Sequence, residues 1–322
     1  MDDTQTDARP TLDALDARVA RRESRRDFFK AMGGVAALGG GLTLTGLSAG
    51  AEAQAAPTDA DILNFALNLE YLEAQFYSFA AFGQGLPAAS LAGTGNRGGV
   101  TGGRQVTFRD PIVRQYAVEI ARDENAHVEF LRSALGRSAV AQPAINISGD
   151  VNGAFSAAAR AAGLVGPGQA FDAYANDENF LLAAFIFEDV GVTAFKGAAP
   201  LITNKTFLEA AAGILAVEAY HASIIRTTLY GKGMQTPSLK LIQATEAISN
   251  ARDSLDGPTD LDQGVAMIGD ASNIFPSDAN GLAFSRTGGQ VLNIVYLNNK
   301  AVSQGGFFPA GVNGNITMSA AN

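Results

Sequence analysis

The chain has 322 residues, a net charge of −9, no cysteine, no tryptophan and only two histidines. An acidic chain with no basic tract in its body is not built for nucleic acid or for an anionic membrane surface. The absence of cysteine excludes disulfides, thiolate chemistry, zinc-finger ligation and iron–sulfur clusters.

In chain order, residues 1–23 are charged and polar. SRRDFFK follows at 24–30, then the uncharged AMGGVAALGGGLTLTGLSAG, then AEAQAA with Ala53 and Ala55 in Ala-x-Ala. A basic region, an apolar stretch and a small-residue cleavage site predict an export signal. Arg25 and Arg26, followed by Phe28, look like the twin-arginine type, with Phe29 where that motif usually has Leu. A transmembrane anchor is the alternative, but the many glycines make the stretch weakly apolar for a stable span. Cleavage is expected after Ala55. That makes the twin-arginine translocase a partner during export and the periplasm, or secretion, the destination. The route carries folded proteins, which suits a cofactor loaded before export.

Four long apolar-periodic segments come next, at 59–82, 110–135, 172–199 and 204–230. Thr58 or Asp59 can cap the first, Pro111 sits in the first turn of the second, Pro200 stops the third and Gly231 the fourth. Segments of this length predict an all-α four-helix bundle over residues 56–232. Residues 83–109 are a Gly-rich connection. Its GTGNRG, 93–98, matches Gly-x-Gly-x-x-Gly, but no strand precedes it, so it reads as a flexible loop. Residues 136–171 make a long crossover between the second and third helices, with a short helical patch, AFSAAARAAGL. The short link between the third and fourth makes those two antiparallel neighbours. The third is apolar nearly all round, which fits a buried central helix or one covered by a second copy in a homo-oligomer; core is the simpler account. Residues 233–322 form a loop-rich C-terminal appendage packed on the bundle, with helices expected in SLKLIQATEAISNARDSL and RTGGQVLNIVYL. Phe307 and Phe308 read as core plugs.

Both histidines stand in Glu-x-x-His: Glu124 with His127 and Glu218 with His221. Composition alone would produce that about once in 700 such sequences. At 100° per residue, Glu124 shares its stripe with Ala117, Ile120, Val128 and Leu131, and Glu218 with Ala211, Ile214, Ala222, Ile225 and Leu229. Asp123 and Glu129 fall farther round and read as solvated. Glu188 lies with Leu181, Ala184, Val192 and Phe195, and Gly191 occupies the slot that carries histidine on the other two helices. Glu70 lies with Leu63, Ala66, Ala74 and Tyr77, and Glu73 occupies the same slot. Four carboxylates facing one apolar core repel one another and lose their hydration. Two divalent cations would relieve both costs. One Glu from each of two helices plus Glu-x-x-His from each of the other two is the di-iron or di-manganese carboxylate pattern. Oxygen and imidazole donors suit those metals. The predicted ligands are Glu70, Glu124, His127, Glu188, Glu218 and His221. No Ser–His–Asp arrangement competes, since both histidines are claimed, and no catalytic residue is assigned.

LNLEYLEAQFY, ARDENAHVEFL, FEDVGVTAF and AVEAYHASIIR, between residues 62 and 230, resemble the ferritin-like superfamily, and more closely the bacterial ferritin-like and desiccation-related proteins. RTGGQVLNIVY and GGFFPAG extend the likeness into the C-terminal region. The resemblance implies a ferritin-like bundle. In that superfamily the helix-one ligand Glu is commonly followed seven residues later by Tyr. Glu70 and Tyr77 have that spacing, which favours Glu70 over Glu73 as ligand. It also implies Glu124 and Glu188 as candidates to bridge or chelate. Glu73 departs from the pattern and has three readings: a fifth carboxylate on the metals, a partner to a histidine, or a solvated residue. Three functions are expected to compete. A redox di-metal protein would use iron with dioxygen or peroxide, or manganese with peroxide, in stress protection. A storage protein would hold metal without turnover, although the Gly-rich loop and the appendage would obstruct a cage. A desiccation-related scaffold would use metal only for stability.

Overall fold

Thr58 starts the first helix. Its hydroxyl accepts from Asp61 N while the Asp61 carboxylate accepts from Thr58 N, so two amides that a helix start leaves unpaired are satisfied at once. Helix α1 runs Asp59–Phe82 and ends on Gly83 at φ 73°, the left-handed turn that glycine takes without strain. The computed structural model describes residues 56–322. The expected export signal, with Arg25 and Arg26, lies outside the described residues.

α2 spans Pro111–Leu135, capped by the Asp110 carboxylate on Ile112 N. α3, Ala154–Ala161, is the short patch in the crossover. α4 spans Asp177–Ala198 and α5 Lys205–Gln235. Two boundaries differ from expectation. α4 starts at Asp177, not 172, because the Asn176 side chain caps it by accepting from Asn179 N. Asp172 instead accepts from Tyr174 N and pairs with Arg104. α5 does not stop at Gly231. That residue keeps helical geometry, and the helix continues to Gln235, ending before Pro237, which has no backbone N–H to extend it.

α1 packs chiefly on α2, and α4 on α5 through the six-residue link 199–204, which builds the four-helix bundle. The Gly-rich connection is more structured than expected. Strand β1, Val100–Gly102, pairs in parallel with β2, Ile145–Ile147, in the crossover, with Val100 opposite Ile145. Thr94 N donates to Ala139 O and Ala141 N to Thr94 O. A Cβ on Gly98 would lie 2.1 Å from Ala144 N, so glycine is what lets the two backbones touch. The two long connections thereby hold each other, with Ile145 and Ile147 fully buried in the core.

α6, Leu241–Asp256, and α7, Gly288–Tyr296, are the two C-terminal helices. Phe307 and Phe308 are both fully buried. The Phe307 ring centre is 4.9 Å from Phe187 of α4 and 5.3 Å from Phe155 of α3, so this part of the C-terminal region packs into the core. A buried ion network ties it to the bundle. Arg226 of α5 and Arg252 of α6 share Asp189 of α4, at 2.8 and 3.1 Å. Arg252 and Arg286 share Asp262, and Arg286 pairs with Asp256 at 2.6 Å. Arg226 also donates to the carbonyls of Gln263, Gly264, Asn273 and Ile274, so every donor of its guanidinium is engaged. Ala56–Pro276 and Ala283–Asn322 form one unit. Ser277–Leu282, grouped apart, holds its own turn, Asp278 N donating to Leu282 O.

Candidate metal centre

Each bundle helix sends carboxylates to one point because each carries them on its apolar stripe. Glu70 comes from α1, Glu124 and His127 from α2, Glu188 from α4, and Glu218 and His221 from α5; all six are buried. They form two groups whose donor atoms lie within 4.8 Å of one another: Glu70, Glu124, His127 and Glu218, then Glu124, Glu188 and His221. Glu124 belongs to both. His127 Nδ1 lies 3.2 Å from Glu70 Oε2, 3.5 Å from Glu124 Oε2 and 3.7 Å from Glu218 Oε1. His221 Nδ1 lies 2.9 Å from Glu124 Oε1 and 3.7 Å from Glu188 Oε2. Even the shortest of these contacts lacks hydrogen-bond alignment. Each of the six residues keeps at least one buried nitrogen or oxygen without a hydrogen-bond partner.

Orphaned polar atoms at such density are costly unless something satisfies them together. Protons are one possibility, and the electrostatics show where they go. Burial, reinforced by the Glu124 charge, pushes Glu70 up to about 8 against the pull of His127. Burial likewise pushes Glu188 up to about 8 against the pull of His221. Burial and then the Glu124 charge hold Glu73 and Glu218 well above the usual carboxylate range. For Glu124 burial also acts upward, but His127 and His221 on either side outweigh it and hold it far below that range. Burial opposes a charge on His127, yet Glu70 and Glu124 push it up to about 11. His221 reaches about 9 in the same way, through Glu124 and Glu188. Divalent cations are the better occupant: they neutralise the carboxylates and take the lone pairs that protons leave unpaired. The donor set, carboxylate oxygens and two imidazoles, fits a hard or borderline metal ion.

Two surrounding contacts orient the donors. The Tyr77 hydroxyl donates to Glu188 Oε1 from a fully buried position. Burial, then the Glu188 charge, keeps that phenol protonated well beyond its ordinary range. Asp123, expected to be solvated, lies with Oδ2 3.2 Å from His221 Nε2. A carboxylate there accepts from Nε2–H and, in the neutral ring, leaves the Nδ1 lone pair turned inward. Glu129 is exposed and accepts from the Ser90 hydroxyl, so it lies outside the centre. The residue preceding Glu218 is Val217, so His127 receives no matching partner from α5. Glu73 is not solvated: it is 4% exposed and its Oε2 has no partner.

The ferritin-like domain family matches residues 58–231, which hold every residue of this cluster. The chain belongs to that family. Among curated relatives, this ferritin-like protein is 32% identical over 241 residues to the desiccation-related protein PCC13-62 of Craterostigma plantagineum, covering 71% of this chain and 75% of that one. It is 28% identical over 272 residues to the ferritin-like catalase Nec2 of Nesocodon mauritianus, covering 80% of this chain and 84% of the relative. No solved structure matches. The match to the second relative covers more of the chain than residues 1–231 can hold, so that likeness takes in part of the C-terminal region of this ferritin-like chain as well.

Proposed function

We propose that this ferritin-like protein carries two iron or manganese ions in the Glu/His cluster and disproportionates peroxide in the cell envelope after twin-arginine export. The observation that carries the reading is the convergence of six buried Glu and His side chains, each with an unsatisfied atom, into two groups that share Glu124. The relative named a ferritin-like catalase supports the substrate. Two hydrogen peroxide molecules give two waters and dioxygen, so oxidant and reductant are both peroxide and no outside electron donor enters.

A pair of redox-active ions would supply the two-electron capacity this reaction needs. The protein supplies the rest. Glu124 joins the two positions, His127 and His221 complete one group each, and Tyr77 fixes Glu188. The apolar stripes around the cluster exclude bulk water, which strengthens every charge interaction inside. The likeness to a desiccation-related protein favours a second reading, in which the same metals clamp the bundle without turnover.

The test is metal content by mass spectrometry on protein from its native compartment, with oxygen evolution on added peroxide. Wild type should hold about two ions per chain. The Glu124→Ala, Glu218→Ala double variant should hold neither and evolve no oxygen. Metal without oxygen evolution would select the clamp. A wild-type chain purified without metal that takes none up would end both readings.

A further inference from the structure

Glu73 has no place in either ligand group, yet it is buried beside them with an unpartnered oxygen. It sits one turn after Glu70 on α1, so the two carboxylates share a face. Across from it on α4 is Gly191, in the slot where α2 and α5 carry their histidines. A Cβ built on Gly191 would lie 2.2 Å from Glu218 Oε2 and 3.4 Å from Glu73 Oε1. The Glu218 carboxylate therefore rests directly on the glycine backbone, with Glu73 alongside. Any side chain at 191 would evict Glu218 or close the gap to Glu73. A glycine inside a helix is less favourable than alanine, so its place here calls for a reason.

We infer that Glu73 is a fifth carboxylate ligand of the centre, admitted by Gly191, and that it makes the Glu70–His127–Glu218 position bind a divalent cation more tightly than the Glu188–His221 position. This rests on the di-metal reading above. The first position already has four donor residues and gains Glu73; the second has three, and one oxygen of Glu188 is held by Tyr77. Affinity for a hard cation rises with the number and charge of its oxygen ligands. Ions therefore enter in sequence, the carboxylate-rich position first.

The test is a calorimetric titration of the full metal-free chain with Mn(II), followed by electron paramagnetic resonance at one and two equivalents. Wild type should show two steps separated by about tenfold or more in affinity, with an isolated-ion signal at one equivalent and a coupled signal at two. Glu73→Gln, which keeps shape and removes charge, should weaken the first step by about tenfold or more and spare the second. Gly191→Ala should do the same with helix content unchanged by circular dichroism. Two indistinguishable wild-type steps, or a Glu73→Gln variant with an unchanged first step, would overturn the inference and leave the di-metal reading standing. No binding by wild type would overturn both.

Discussion

The Asp123 side chain is 44% exposed, yet its Oδ2 reaches the buried ring of His221. The helix-wheel angle puts Asp123 off the apolar stripe of α2, and a wheel carries no information about the neighbouring helix. His221 comes from α5, 98 residues later, so this contact is invisible until the two helices are packed. Asp123→Ala should weaken the metal step that depends on His221 by about 10- to 100-fold. The step that uses His127 should stay intact. Competition against a chelator of known affinity measures both. Because Asp123 is half in solvent, thermal stability of the metal-free chain should change little, which separates a lost orienting contact from a damaged fold.

At the scale of elements, the four bundle helices and their buried faces were readable from period, caps and stop residues. The boundaries that moved did so for local reasons: an Asn176 cap stronger than the Asp172 signal, and a Gly231 that keeps helical geometry until Pro237. The β1–β2 pairing was not readable, since three-residue strands in Gly-rich connections have no periodicity to detect. Nor was the network of Arg226, Arg252 and Arg286 with Asp189, Asp256 and Asp262. Its members come from α4, α5, α6 and the loops beyond, and a lone Arg226 in an apolar helix looks like a surface charge. Asp262 shows how firmly the network is closed: burial acts upward on its carboxyl, but Arg252 and Arg286 outweigh it and lower its pKa. Arg226→Ala would leave the buried Asp189 charge with Arg252 as its one remaining ion-pair partner and would take the donor from four carbonyls. It should cost about 3–5 kcal/mol in chemical denaturation, far more than loss of a surface pair.

For the whole molecule, protons and metal ions compete for one cluster, and this sets opposite pH responses. In the metal-free chain Glu70 and Glu188 rise from 4.5 to about 8, so their contribution to stability is complete below 4.5 and is lost as pH rises through 8. His127 and His221 rise from 6.5 to about 11 and about 9, and their contribution is likewise lost as pH rises above 6.5. Glu73 and Glu218, also raised, act in the same sense, and the opposite contribution of Glu124 is already complete above 4.5 and does not change over this range. Metal-free protein should therefore melt at progressively lower temperature between pH 5 and pH 9. With Mn(II) or Fe(II) present, deprotonation strengthens binding, so the melting temperature should rise over the same range. Scanning calorimetry at matched ionic strength, with and without chelator, checks both slopes.

By itself the sequence determined the helical bundle, its buried faces and the six Glu and His side chains that turn inward. Those properties depend on period, and period survives in a linear string: a glutamate and a histidine three apart on an apolar stripe must face inward together. Tertiary structure alone decided what depends on distance between helices. It joined Glu124 to both donor groups, set Asp123 on His221 and Tyr77 on Glu188, and buried Glu73 against the bare backbone of Gly191. These contacts link residues from about 50 to nearly 120 positions apart, and only packing brings them within reach.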